Sequence, residues 1–172
     1  SPKMNYLTGD VIDEEYQSKF RIFTTTTRTR PRPTAYVIPK GEKWADSAAE
    51  LLSLHGVEHY EFENNAAARL VQYKGSATQV ELCDERVVSF ENGAYVFPMN
   101  QLNANPLMLI MEPDVHNGNN YEINLISMGY ISPDENGLLP IYRYCYGLKD
   151  GKIILEKGVD SGTYPWTNPF ED

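Results

Sequence analysis

Apolar positions along this chain come in short blocks, most of them closed by proline or glycine. Ala35-Tyr36-Val37-Ile38 is a continuous apolar run stopped by Pro39 and Gly41, the form of a strand buried on both faces. From Trp44 to His55 the period changes: Asp46, Ser47, Glu50 and Ser53 share one side of a helical wheel, while Trp44, Ala45, Ala48, Ala49, Leu51 and Leu52 cover the rest. Gly56 supplies a left-handed helix stop, and Val57 to Phe62 reads as the next strand. Strand, three-turn helix, strand is the βαβ unit, which predicts parallel pairing and a right-handed crossover.

The segments Arg69–Tyr73, Thr78–Cys83 and Arg86–Phe90, separated by Lys74-Gly75-Ser76 and Asp84-Glu85, predict an antiparallel meander with one solvated face. Asn92-Gly93 turns into Ala94-Tyr95-Val96-Phe97, a second apolar run stopped by Pro98, and Asn105 to Glu112 predicts a second helix. Ile123 to Ile131 fits either a helix or a strand. Leu139 to Tyr146 reads as a strand, with Pro140 expected at a first strand position or on an edge, where a missing donor is tolerated. Lys149-Asp150-Gly151-Lys152 predicts a hairpin turn before Ile153-Ile154-Leu155.

The expected fold is therefore α/β: a small parallel-containing mixed sheet with flanking helices, plus the meander. Residues 1–30 read as a lead segment and linker, 31–157 as the α/β domain, and 158–172 as a tail that Tyr164, Trp166 and Phe170 could dock. At 172 residues, 41% of them hydrophobic and twelve of them tyrosine, the chain can bury a core without disulfide or metal staples.

A formal charge of −9 repels phosphate backbones, so nucleic acid is not an expected partner. The one concentration of basic residues, Arg28, Arg30 and Arg32, alternates with Thr29 and Pro31 and reads as an extended linker. No stretch approaches the ~20 apolar residues of a membrane helix, so no membrane insertion is expected. Cys83 and Cys145 lack metal-type spacing and are expected to be buried free thiols.

Candidate chemistry is thin. His55-Gly56-Val57-Glu58 has the H-x-x-E spacing of a zinc pair, with His59 and His116 as conceivable third donors. A zinc site needs donors converging at about 2 Å, and a helix stop between His55 and Glu58 leaves no rigid element to aim both. Cys83 has no neighbouring base or elbow glycines, and Cys145 sits between two tyrosines, so both read as structural rather than nucleophilic. Glu112, Asp114, His116, Asn117, Asn119 and Asn120 offer oxygen donors without a calcium-loop spacing, and read as a solvated turn. Neither Pro39-Lys40-Gly41-Glu42-Lys43 nor Pro98-Met99-Asn100-Gln101 is a glycine-rich phosphate cradle. Within this segment no catalytic, cofactor-binding or metal-binding residue is assigned.

Three blocks in order resemble a known region: Arg32 to Pro39 with Ala48 to Glu58, then Asn92 to Asp114, then Leu139 to Tyr144. They are similar to the part that follows the catalytic domain in large bacterial zinc carboxypeptidases of the carboxypeptidase A/T superfamily, over about residues 31–146. That resemblance implies a non-catalytic C-terminal accessory domain, glutamine-amidotransferase-like in arrangement. It would pack on or orient its own upstream catalytic domain, which would hold the zinc and remove C-terminal residues from peptides. It also favours an extracellular or cell-envelope location. The alternative is a module binding a peptidoglycan, glycan or peptide ligand through surface tyrosines and the loop Asp114 to Asn120.

Overall fold

A computed structural model of the chain describes residues 3–4, 11–12, 30–76, 79–114 and 123–156. The chain divides into two units, residues 1–31 and 32–172. In the first, β1 (Lys3–Met4) pairs antiparallel with β2 (Val11–Ile12), Lys3 facing Ile12. The expectations for most of the lead segment and linker, for residues 115–120 and for the tail 158–172 lie outside the described residues.

The second unit runs β3 (Ala35–Pro39), α1 (Lys43–Leu54), β4 (Tyr60–Phe62), β5 (Ala66–Ser76), β6 (Gln79–Leu82), β7 (Arg86–Phe90), β8 (Ala94–Pro98), α2 (Ala104–Met111) and β9 (Leu138–Tyr144). The sheet order is β4-β8-β3-β9-β5-β6, with β7 also paired to β5, and every pair is antiparallel. The chain is thus α/β with an antiparallel sheet among the described residues, which corrects the expected parallel pairing. The strand–helix–strand segment β3-α1-β4 exists, but β8 is inserted between its two strands. The reason lies in composition. Ala94, Val96 and Phe97 are wholly buried and suit an interior slot, whereas β4 is three residues long, carries exposed Glu61 at its centre and suits the rim.

Because side chains alternate across a strand, the sheet feeds two cores. Tyr36 and Ile38 of β3 join Phe97, Tyr73, Leu139 and Ile141 beneath the helices. Ala35 and Val37 join Val96, Leu70, Phe90 and Tyr144 on the opposite face. Residues 35–38 are all fully buried, as the run of four apolar positions requires.

Helix α1 buries Ala45, Ala48, Ala49 and Leu52, while Trp44 and Leu51 pack at its margin and stay half-buried. Its end is a Schellman motif: Gly56 N–H donates to Ser53 O (2.9 Å) and Val57 N–H to Leu52 O (3.0 Å), with Gly56 at φ +71°. Buried Val57 completes the motif's apolar contact.

The expected meander is a single bent ribbon instead. Leu82 faces Tyr73 and Arg86 faces Leu70, so four steps of one strand span three of the other, and Asp84-Glu85 forms the bulge between β6 and β7. Between them Cys83 N–H still donates to Gln72 O at 2.9 Å.

Pro140 also departs from expectation, lying third in β9, which is an interior strand between β3 and β5. It is accommodated because β9 bulges there: four steps from Tyr142 to Leu138 span only two of β5, Gln72 to Lys74. The Gln72 side chain donates to Leu139 O (2.9 Å), satisfying a carbonyl where the ladder is interrupted. Residues 123–131 are neither helix nor strand but turns, organised by the Asn124 carboxamide oxygen accepting from Ile126 and Ser127 N–H. At Lys149–Lys152 the expected two-residue turn is present, with Asp150 and Gly151 both at positive φ.

Candidate functional site

Ionisable residues set inside apolar strands are the first place to look for chemistry. Tyr36 of β3, Tyr73 of β5 and Arg143 of β9 lie on the helical side of the sheet, and Glu112 caps the C-terminal end of α2. Both tyrosine hydroxyls donate to Glu112 Oε1, at 2.6 Å from Tyr36 and 2.7 Å from Tyr73. The Arg143 guanidinium lies 5.8 Å from the centre of the Tyr73 ring.

Burial first, and then the Glu112 carboxylate, hold both hydroxyls well above the ordinary tyrosine range, and Arg143 opposes the shift. A carboxylate at a helix C-terminus meets the negative end of the helix dipole, so two hydroxyl donors and a nearby guanidinium are what make the position tolerable. With Tyr36 and Tyr73 fully buried and Glu112 5% exposed, no substrate reaches these groups. They brace α2 against three strands.

The surface offers a different arrangement. Two adjoining clefts, of about 520 and 290 Å³, share Glu58, Asn100 and Gln101. They lie where α1 leads into β4 and β8 leads into α2. The Gln101 carboxamide docks against the backbone of Glu58, accepting from its N–H (2.7 Å) and donating to its carbonyl (2.9 Å), and also donates to Pro98 O (2.6 Å). Asn103 Nδ2 donates to Gly56 O (2.7 Å), and Arg32 Nη2 to Met99 O (3.3 Å). Leu102, wholly exposed, stands at the cleft, and Leu54 at the end of α1 is 80% exposed.

The residues singled out from sequence are dispersed by this geometry. His55 ends α1 on the surface, and Glu58 lines the clefts. His59 packs its ring against Tyr95 (5.5 Å) and Phe97 (5.3 Å). Among the described residues no group of three His, Cys, Asp or Glu is placed to hold a metal ion. His116 lies outside them. Both cysteines are free thiols; Cys83 is half-buried, and Cys145 is exposed rather than buried because β9 ends at Tyr144.

Sequence reasoning missed the Tyr36–Tyr73–Glu112–Arg143 brace. Its signal was available in Arg143, a cation enclosed by Ile141, Tyr142 and Tyr144, which only a buried counter-charge accommodates. Gln101 and Asn103 carried no comparable signal, since their role is to satisfy backbone groups in a distant turn. Neither the known protein-family models, the curated proteins nor the solved structures contain a match to this chain.

Proposed function

We propose that this chain is a non-catalytic accessory domain of a larger zinc carboxypeptidase-like metallopeptidase, packing on or orienting the catalytic domain of the same polypeptide. The observation that carries this reading is that the blocks bearing the resemblance are in contact with one another. Tyr36 of the first block and Glu112 of the second share a hydrogen bond, and Tyr36 and Arg143 of the third are register partners across β3 and β9. Glu58 and Gln101 tie the first block to the second. The buried tyrosines and Glu112 are committed to holding the fold, as a positioning module needs.

The antiparallel sheet speaks against the amidotransferase-like part of the resemblance, and the reading does not depend on it. The surface at the clefts supports docking: Leu102 is apolar and exposed within a mostly polar lining, matching the partly polar character of interfaces between domains of one chain. The zinc would then be held by the preceding domain, and the segment would meet peptide substrates only through its partner.

The test is to produce the segment and the polypeptide preceding it separately and mix them. Association in the micromolar range, weakened by Leu102→Asp, is expected, with hydrolysis of C-terminal peptide substrates confined to the preceding piece. Hydrolysis by this segment alone, or a preceding sequence without a zinc-binding set, would sink the proposal.

A further inference from the structure

The register of β3 and β9 ends for a reason the sequence contains. Ala35 faces Tyr144, Tyr36 faces Arg143 and Val37 faces Tyr142; continuing that register sets Pro39 against Pro140. Neither proline has an N–H to offer, so the ladder stops and the strands part, while β3 stays paired with β8 as far as Pro39 and Ala94. A trough of about 400 Å³ opens at the parting. Pro39, Pro140, Trp44 and Tyr142 wall it, and Lys40, Glu42, Ser89 and Asn92 stand on its rim.

Each wall is fixed. Trp44 sits in the first turn of α1, packed at the margin of the helical core. The Tyr142 ring meets Phe90 edge-on at 5.5 Å. Gly41, at φ +98°, lies so close to Asn92 that a Cβ there would stand 2.8 Å from Asn92 Nδ2, so the two turns forming the rim abut. Lys40 is already paired with Glu61 and lies 5.2 Å from the centre of the Tyr95 ring. The rim is therefore rich in acceptors: the exposed carboxylates of Glu42 and Glu91, with Ser89 and the Asn92 carboxamide.

We infer that this trough binds a neutral carbohydrate, one or two sugar rings of a glycan chain. A pyranose combines a flat C–H face, which stacks on indole and phenol rings, with an edge of hydroxyl donors that acceptor-rich rims recognise. Ligand sites combine apolar walls with a few fixed polar groups in this way. Polyanions are disfavoured by the rim carboxylates and by the chain's net charge of −9. A proline-rich peptide presents mainly carbonyls and few N–H donors, which suits these rim acceptors less than a row of hydroxyls. The inference goes beyond the accessory-domain reading and holds whether or not a peptidase domain precedes the segment.

The experiment is amide-detected NMR titration of the whole chain with soluble cello-, xylo- and chito-oligosaccharides, and separately with a proline-rich peptide. At least one oligosaccharide should bind with a dissociation constant of about 10 mM or tighter, shifting the amide signals of residues 40–44, 88–93 and 141–142. Trp44→Ala should weaken it at least tenfold. Glu42→Ala and Ser89→Ala alter only exposed rim positions and should weaken it severalfold with the spectrum of the free protein preserved. No shifts with any oligosaccharide, shifts confined to other surfaces, binding indifferent to the rim variants, or binding of the peptide alone would each overturn the inference.

Discussion

Tyr36 and Glu112 lie 76 positions apart in the chain and meet at 2.6 Å in the interior, where Tyr73 donates to the same carboxylate oxygen. A hydrogen bond to a buried charge contributes more than a neutral one, roughly 1.5–3 kcal/mol. Tyr36→Phe and Tyr73→Phe are each expected to lower unfolding free energy by an amount in that range. The double variant should not be additive, because the two hydroxyls share an acceptor. Denaturant unfolding of the four proteins measures this; losses under about 0.5 kcal/mol in both single variants would show that the brace contributes little.

The same pair sets an alkaline limit. Burial and Glu112 raise both hydroxyls above their ordinary value of 10.0, so in the folded state they keep their protons at a pH where the unfolded chain loses them. The stability this represents is complete below about pH 10 and is lost progressively as pH rises above it toward the folded values. Denaturation midpoints at pH 8 and pH 11 should differ, and Tyr36→Phe combined with Tyr73→Phe should reduce that difference. Tyrosinate absorbance from these two rings should appear only as the protein unfolds.

Leu52 is fully buried under α1 and Leu54, two positions on, is 80% exposed. Leu52→Ala is expected to cost about 2–5 kcal/mol, as buried leucine truncations do, and Leu54→Ala to stay within about 0.5 kcal/mol. Urea unfolding of both decides whether the helix face is correctly assigned; equal effects would contradict it.

At the end of α1, Gly56→Ala forces a side chain into φ +71° and brings its Cβ to 2.8 Å from Asn103 Nδ2. The expected loss is about 1–2 kcal/mol. Gly147, outside the left-handed region and with nothing within 4 Å of where a Cβ would stand, should accept alanine without loss.

Zinc offers a sharper contrast, because His55 and Glu58 flank that Schellman turn and His59 packs on two aromatic rings. Dialysed protein is expected to carry far less than one equivalent of zinc. A full equivalent that disappears in His55→Ala would reverse that expectation.

What the sequence made legible follows from where local rules decide the outcome. Four apolar residues before Pro39 specify a two-faced strand, and the wheel from Trp44 to His55 specifies both α1 and its outward face. Partner choice is not local. Nothing between residues 35 and 62 announces that β8 will enter between β3 and β4, and that competition between an apolar strand and the shorter, charged β4 decided the sheet. Pro140 was misplaced for a similar reason, since the bulge that tolerates it is a property of β9 and β5 together. At the site level, spacing alone shows only that a helix stop separates His55 from Glu58, whereas the Glu112 brace needed strands distant in sequence and a helix end to exist.

The two rims of the sheet bear on how this protein behaves at high concentration. One rim, β4, is three residues long with a lysine-paired glutamate at its centre; the other is broken by Asp84-Glu85 between β6 and β7. Neither presents more than five regular residues in succession, too short and too charged a template for another chain to extend by strand addition. Among the described residues, the irregularities that bend the ribbon also keep its edge from serving as a template, and removing the Asp84-Glu85 bulge would trade that protection for a longer, flatter edge.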